Sequence, residues 1–176
     1  MSGIYDLILK RQSCRSFDSS RIIEEEKLQL ILDAGRMSPS ARNSQPWHLT
    51  LIKDPAVVKK VSLATQVHGI NGFADKCTAF IVISEIDAEE AFLCRAHRYF
   101  AEMDIGMCVM NMCLMAESLD VGTCILGSYD ADLIKEYANL QGDFEPKLII
   151  AMGYASEGYE VRQKKRRSFC DTVTII

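Results

Sequence analysis

The run Ala-Phe-Ile-Val-Ile-Ser at residues 79–84 is apolar and largely β-branched on both of its alternating faces. Apolar side chains on both faces of a strand need cover on both, so this segment belongs in the interior of a sheet. Other segments read as its neighbours. Leu49 and Leu51 alternate with polar residues over 48–53, a half-buried strand closed by the Asp54-Pro55 turn. Residues 123–126, after Gly122, and 147–152, ending at Gly153, give two more strands, and 172–176 is a candidate for a last one.

Helical spacing fills the stretches between them. Ile4, Leu7 and Ile8 predict a short amphipathic helix over 3–12, ending near Ser13. Glu24, Glu25 and Glu26 favour a helix N-terminus, and Leu28, Ile31 and Leu32 form the apolar stripe of a helix running to Arg36, before Ser38-Pro39 breaks it. Residues 56–66 and 131–138 are helical as well. The stretch 88–118 lacks proline and carries apolar residues on more than one face, so it reads as one central helix or two abutting ones, in the core or in a subunit contact. Helices and strands mix without strict βαβ alternation, and no repeat or linker divides them. One α+β domain over 1–176 is expected.

Composition narrows the function. With 176 residues, 48% hydrophobic and 25% charged, the chain can bury a substantial core. It has no apolar run of about 18 residues, and its first ten residues lack a basic start and an apolar centre, so a soluble cytoplasmic protein with no membrane contact is expected. The seven cysteines (14, 77, 94, 108, 113, 124 and 170) are never spaced as CxxC and read as reduced, mostly buried thiols. His48, His68 and His97 are equally dispersed, and no metal site is expected. The net charge of −4 argues against general nucleic-acid binding, although five of the six residues 162–167 are basic. No GxGxxG follows a strand, and the Gly-x4-Gly from Gly122 to Gly127 continues Ser-Tyr rather than Lys-Ser/Thr, which excludes a Rossmann turn and a P-loop.

Three separate segments carry chemistry. In Arg11-Gln12-Ser13-Cys14-Arg15, two guanidinium forks flank a hydroxyl, a donor set that matches a phosphate monoester and equally suits a solvated helix end. Residues 38–47, Ser-Pro-Ser-Ala-Arg-Asn-Ser-Gln-Pro-Trp, form a proline-bounded loop. Its Asn43 and Gln45 amides both donate and accept, as the polar edge of an isoalloxazine requires, whereas Trp47 reads as core. Lys164-Lys165-Arg166-Arg167 is either a cationic tail, a nucleic-acid patch, or, because apolar residues 169–176 follow, an ordered segment that needs an anion.

The order RxSxR, SPSxxNSQPW, Gly-Thr-Cys-Ile-Leu-Gly and KxRxS over residues 4–173 resembles the FMN-dependent nitroreductase family. The resemblance implies an α+β fold with a central, mostly antiparallel sheet flanked by helices. It also implies an intertwined homodimer with FMN at each end of the interface. Arg11, Gln12, Ser13 and Arg15 of one subunit would hold the phosphate, ribityl chain and pyrimidine side, with Lys164 and Arg166 completing the phosphate clamp. Lys165 and Arg167 are the alternatives if the tail is shifted by one residue. Pro39, Ser40, Ala41, Asn43 and Gln45 would come from the other subunit. Cys124, Leu126 and Gly127 would approach the ring, the last two through backbone N–H groups, and Asn71 stands for a polar contact after the third helix. Gln12 and Leu126 depart from the family pattern, standing where a basic and an acidic residue are frequent.

The implied activity passes electrons from NADH or NADPH through the flavin to an electron-poor acceptor, a nitroaromatic or quinone, in ping-pong turnover. The flavin carries the chemistry, so no side chain is assigned a catalytic role, and Arg15 would tune the ring electrostatically. The same scaffold also suits dehalogenation, enone reduction, flavin cleavage or non-catalytic FMN storage. Tyr99, Phe100 and Met103 could cover the substrate face, with core packing expected for at least two of them.

Overall fold

The computed structural model describes residues 3–86 and 94–176. Strands β1 (Trp47–Ile52), β2 (Ala79–Glu85), β3 (Gly122–Leu126) and β4 (Glu145–Gly153) form one antiparallel sheet in the order β1-β2-β4-β3. β2 therefore lies between two partners, as its two-faced apolar sequence requires. Ile81 and Ile83 enter a core shared with α2 (Glu25–Arg36) and α4 (Cys94–Ser118), through Leu28, Ile31, Ile105, Val109 and Met112. Phe80 and Val82 point the other way, to Val58 and Val61 of α3 (Pro55–Ala64) and Ile134 of α5 (Ala131–Tyr137). Helices thus cover both faces, and each fully buried side chain of this size contributes about 1.5–3 kcal/mol.

Local signals place the helix starts. Asp54 accepts the Ala56 and Val57 N–H groups at 2.9 and 3.1 Å, and Pro55 opens α3 where no N–H is needed. Asp130 likewise accepts the Leu133 N–H at 3.0 Å at the start of α5. The long helical segment is one helix from Cys94 onward, and residues 88–93 of that expectation lie outside the described residues.

The α4 helix shows three faces. Ala101, Ile105, Val109, Met112 and Ala116 turn to the sheet. Asp104, Cys108 and Asn111 form a polar stripe beneath the loop before β1. Phe100, Met103, Met107 and Met110 are exposed, Met103 by 58%, so Phe100 and Met103 do not pack in the core as expected. The side chain of Tyr99 lies outside the described residues. The alternation of faces follows from 3.6 residues per turn in a helix that touches the sheet on one side and a loop on another.

After α1 (Ile4–Lys10), the chain runs extended along the outer edge of β3. Ser13 bridges Thr123 in parallel, the Cys14 N–H donates to the Thr123 carbonyl at 2.8 Å, and Phe17 bridges Ala155. Two glycines make room. A Cβ on Gly122 would meet Cys14 Sγ and the Gly153 carbonyl at 3.1 Å, and one on Gly153 would meet Phe17 at 3.0 Å.

The strand expected at 172–176 is not formed. Phe169–Thr172 is a short helix, α6, whose N-cap Ser168 Oγ accepts the Asp171 N–H at 3.3 Å while the Thr172 hydroxyl donates to the Ser168 carbonyl at 3.1 Å. Local capping outweighs the β-propensity of Val173 and Ile175, which are exposed and bury no face that would favour a strand.

Because two of the close neighbours of Gly122 lie in the packed edge, Gly122→Ala is expected to lower unfolding free energy by about 1–3 kcal/mol in urea titration. Adding Cys14→Ala, which removes the thiol contact, should recover part of the loss.

Candidate functional site

The N-terminal segment and the basic tail meet. Lys164 Nζ donates to the carbonyls of Leu9 and, at 2.8 Å, Arg11, and so satisfies the open carbonyl end of α1. Arg162 reaches the same segment: its backbone N–H donates to Gln12 Oε1 at 3.2 Å and its guanidinium to the Ser13 carbonyl at 3.2 Å. Gln12 answers by donating to the Glu160 carbonyl at 3.2 Å. The tail is therefore an ordered strap over residues 11–13, and Lys164 rather than Lys165 is the member that grips it.

The strap concentrates positive charge. The Lys164 ammonium is pulled below its ordinary range by burial first and then by the Arg11 and Arg166 guanidinium groups, with Glu117 opposing them. The guanidinium groups of Arg11 and Arg15 form no hydrogen bond or ion pair among the described residues. Arg166 donates only to the Lys165 carbonyl, at 2.9 Å, and Arg167 turns away to Asp171. Arg11 and Arg166 are thus left with donors to spare in a cluster of like charge with Lys164, and Arg15 has donors to spare nearer Cys124 and Tyr159. An anion relieves that repulsion.

Beside this cluster, Cys124 is buried on β3, and its thiol is raised by burial against the pull of Arg15 and the Ser13 hydroxyl. Leu126 is buried too, whereas Gly127 is exposed and a Cβ there would meet nothing nearer than Leu148 Cδ2 at 3.9 Å. The fold itself does not need glycine at 127, so its bareness leaves space for close approach from outside. Asn71, in the left-handed region, donates to the Thr65 and Ser128 carbonyls at 3.0 and 3.4 Å and ties the end of α3 to the turn after β3.

The second cluster is the 39–47 loop. Arg42, Asn43 and Gln45 have φ of 54°, 58° and 49°, a conformation that costs a non-glycine residue about 1–2 kcal/mol each. Internal bonds hold the turn: Gln45 N–H donates to Ser40 Oγ at 2.9 Å, the Gln45 side-chain amide to the Asn43 carbonyl at 3.2 Å, and Asn43 N–H to the Ser40 carbonyl at 2.9 Å. From α4, Asp104 accepts the Ala41 N–H at 3.0 Å and Asn111 donates to Ser38 Oγ at 2.8 Å. Pro39 and Asn43 remain exposed, and Asn43, Gln45, Trp47 and His48 border a cavity of about 660 Å³. Trp47 itself is buried, as expected.

One chain does not bring these two clusters together. The loop enters β1 at the Trp47–Glu85 end of the sheet, while Ser13 lies outside β3 beside Thr123, at the Ala79–Met152 end. Given strand spacing and rise, they stand on the order of 25 Å apart at diagonal corners.

The family model described as the nitroreductase family matches residues 8–66 and 62–154. The chain belongs to the nitroreductase family. Among its relatives, the oxygen-insensitive NADPH nitroreductase of Helicobacter pylori is 22% identical, with 96% of this chain and 94% of that protein covered. The crystal structure of a Bacteroides fragilis nitroreductase with bound FMN superposes with a TM-score of 0.76 at 19% identity, covering 100% of both chains. An FMN-dependent nitroreductase from Clostridium difficile superposes with a TM-score of 0.75 at 21% identity, covering 96% of each. The nitroreductase-like fold, an antiparallel sheet flanked by helices, is the one expected from the sequence. Among the described residues no helix is long and apolar enough to cross a membrane, and no cluster of three metal-ligating side chains occurs.

Sequence reading missed several residues of this nitroreductase-family chain. Arg162 stood in the basic run without a reason of its own, and Tyr159, which donates to the Ser13 carbonyl at 3.4 Å, gave no signal. Asp104 did leave one: an acid between Met103 and Ile105 in the apolar stretch of α4. Glu117, in the last turn of α4, left none. Its carboxyl is raised above the ordinary 4.5 by burial, against the attraction of Lys10, Arg11 and Lys164. A raised carboxyl binds protons more tightly in the folded state, so its stability contribution is full below pH 4.5 and is lost as pH rises through the folded value. Glu117→Gln should remove that decline, seen as urea midpoints that diverge from wild type as pH climbs from 4 to 7, in favour of the variant (range set by about two units around an ordinary carboxyl).

Proposed function

We propose that two copies of this chain pair to build two FMN sites, and that the protein is an FMN-dependent oxidoreductase. It would take electrons from NADH or NADPH and pass them to an electron-poor acceptor such as a nitroaromatic or quinone. The observation that carries this reading is the placement of two incomplete half-sites at diagonal corners of one sheet. A second copy is what can set the loop of one chain against the cationic cluster of another. Uncovered apolar faces are available for that pairing: Ile4, Tyr5, Ile8 and Leu9 on α1, and Met103, Met107 and Met110 on α4. The names of the Helicobacter pylori relative and of the FMN-bound Bacteroides fragilis structure support the same assignment.

The residues fit FMN on two counts. The repelling cations Arg11, Lys164 and Arg166 suit a phosphate dianion, and the open space at Gly127 suits a flat ring. FMN, when bound, supplies reversible two-electron transfer between donor and acceptor, so the protein's task is binding, orientation and charge. Arg11, Ser13 and Arg166 would hold the phosphate, with Lys164 fastening the segment that carries them. Gln12, already engaged by Arg162 and Glu160, would shape that segment. Arg15 would set positive charge at the polar edge of the ring and raise its affinity for electrons. Pro39, Ser40, Ala41, Asn43 and Gln45 of the other copy would close the ring's polar side, and the backbone of Cys124, Leu126 and Gly127 would line its approach. Asn71 would brace the turn after β3.

Purified protein is expected to be yellow and to release FMN, identified by mass, on denaturation. Arg11→Ala should weaken FMN binding by about tenfold or more, the equivalent of one lost charge-assisted hydrogen bond. Met107→Glu, which touches neither cluster, should give monomers in analytical ultracentrifugation and lose the flavin with them. Initial rates with NADPH and a quinone should give the parallel lines of ping-pong turnover. A colourless protein that does not bind added FMN overturns the assignment.

A further inference from the structure

The loop half-site holds its own turn but does not by itself fix where that turn sits on the fold. Its left-handed turn begins directly after Ala41, and Arg42 and Asn43 gain no help from glycine there. The bonds inside the loop fix its residues relative to one another, not relative to the rest of the fold. At the Ser38–Ala41 side that second task falls to α4, while at the other end the Ile86 N–H donates to the Pro46 carbonyl at 3.3 Å. Asp104 and Asn111 lie seven residues apart on one helix face, with Cys108 between them. Asp104 binds the Ala41 N–H and Asn111 binds Ser38 Oγ, so the two contacts straddle Pro39 and Ser40. Asp104 is only 2% exposed.

A carboxylate buried at that depth is costly wherever its hydrogen bonds are not made, and the sheet-facing positions around it are filled with Ala101, Ile105 and Val109. A charged acceptor binds a backbone N–H more strongly than a neutral one does, and it binds in one place. Ala41 is the last residue before the backbone turns left-handed, so fixing its N–H fixes where the turn starts.

We propose that Asp104 is the positioning residue of the loop half-site: by holding the Ala41 N–H from α4, it sets the conformation in which Ser40, Asn43 and Gln45 meet the cofactor, with Asn111 as the second anchor. The inference rests on the FMN reading for its ligand, but its structural part stands apart from it. Because α4 also carries the exposed methionine face, the same helix would present the loop to the neighbouring copy.

The test uses full-length Asp104→Ala, Asp104→Asn and Asn111→Ala, with Val109→Ala as a sheet-facing control on the same helix. FMN affinity, the visible circular dichroism of bound flavin, thermal midpoint and hydrogen exchange at the Ala41 amide are measured for each. Asp104→Ala is expected to weaken FMN by about tenfold or more, alter the flavin dichroism and release the Ala41 amide to exchange about tenfold faster. Asp104→Asn keeps an acceptor oxygen but loses the charge, so its affinity and Ala41 exchange should fall between those of wild type and Asp104→Ala. Asn111→Ala should shift affinity and dichroism in the same direction, which keeps the test intact if Asp104→Ala does not fold. Val109→Ala should lower the thermal midpoint and leave flavin and Ala41 unchanged. Wild-type affinity, dichroism and Ala41 protection in Asp104→Ala and Asn111→Ala overturn the inference. A wild-type protein that binds no FMN overturns the flavin reading instead, and exchange at Ala41 then still decides whether Asp104 fixes the loop.

Discussion

Everything in this molecule follows from the need to cover β2 on both faces. Phe80 and Val82 demand α3 and α5 on one side, and Ile81 and Ile83 demand α2 and α4 on the other. Once both faces are helical, the free positions for function are the sheet's edges and corners. The 11–15 segment takes the β3 edge, and the 39–47 loop takes the entry to β1. Their separation is a direct result of strand order.

Each corner is built on a different physical basis. At the β3 corner the work is electrostatic: backbone carbonyls of Leu9, Arg11 and Ser13 hold Lys164 and Arg162, and the strap they fasten draws Arg11, Lys164 and Arg166 together, with Glu117 opposing them. Close packing at Gly122 and Gly153 keeps that segment on the sheet. At the β1 corner the work is conformational. Three left-handed non-glycine residues store strain that internal bonds and two contacts from α4 must offset. A cationic cluster and a rigid amide-bearing loop thus stand at opposite corners of one sheet, and the proposed pairing of two copies rests on that separation.

How much could be read from residues alone varied with the range of the physics involved. The strands of the sheet were visible in alternation, in apolar runs or, for 123–126, only as a short candidate after Gly122. One helix start was visible in the acidic residues before Lys27, whereas Asp54-Pro55 was read as a turn and proved to be the start of α3. The error at 172–176 arose because Ser168 capping, a local bond, competes with β-propensity in a segment with no face to bury. Phe100 and Met103 were misplaced because helical spacing tells which residues share a face but not which face turns to solvent. Arg162 and Asp104 escaped because their partners lie far away in sequence, in residues 12–13 and 41.

By itself the sequence determined the fold class, the three chemically distinct segments and the family they resemble, since these depend on periodicity, turn chemistry and local residue order. Tertiary structure alone decided which basic residue of the tail grips the first segment, that a side chain at Gly127 would meet little of the fold, and that Asp104 of α4 accepts the Ala41 N–H. The reason is that each of these is a matter of long-range geometry. A hydrogen bond from residue 164 to residue 11, or a strand order that parts two motifs by the width of a sheet, has no signature in either segment taken alone.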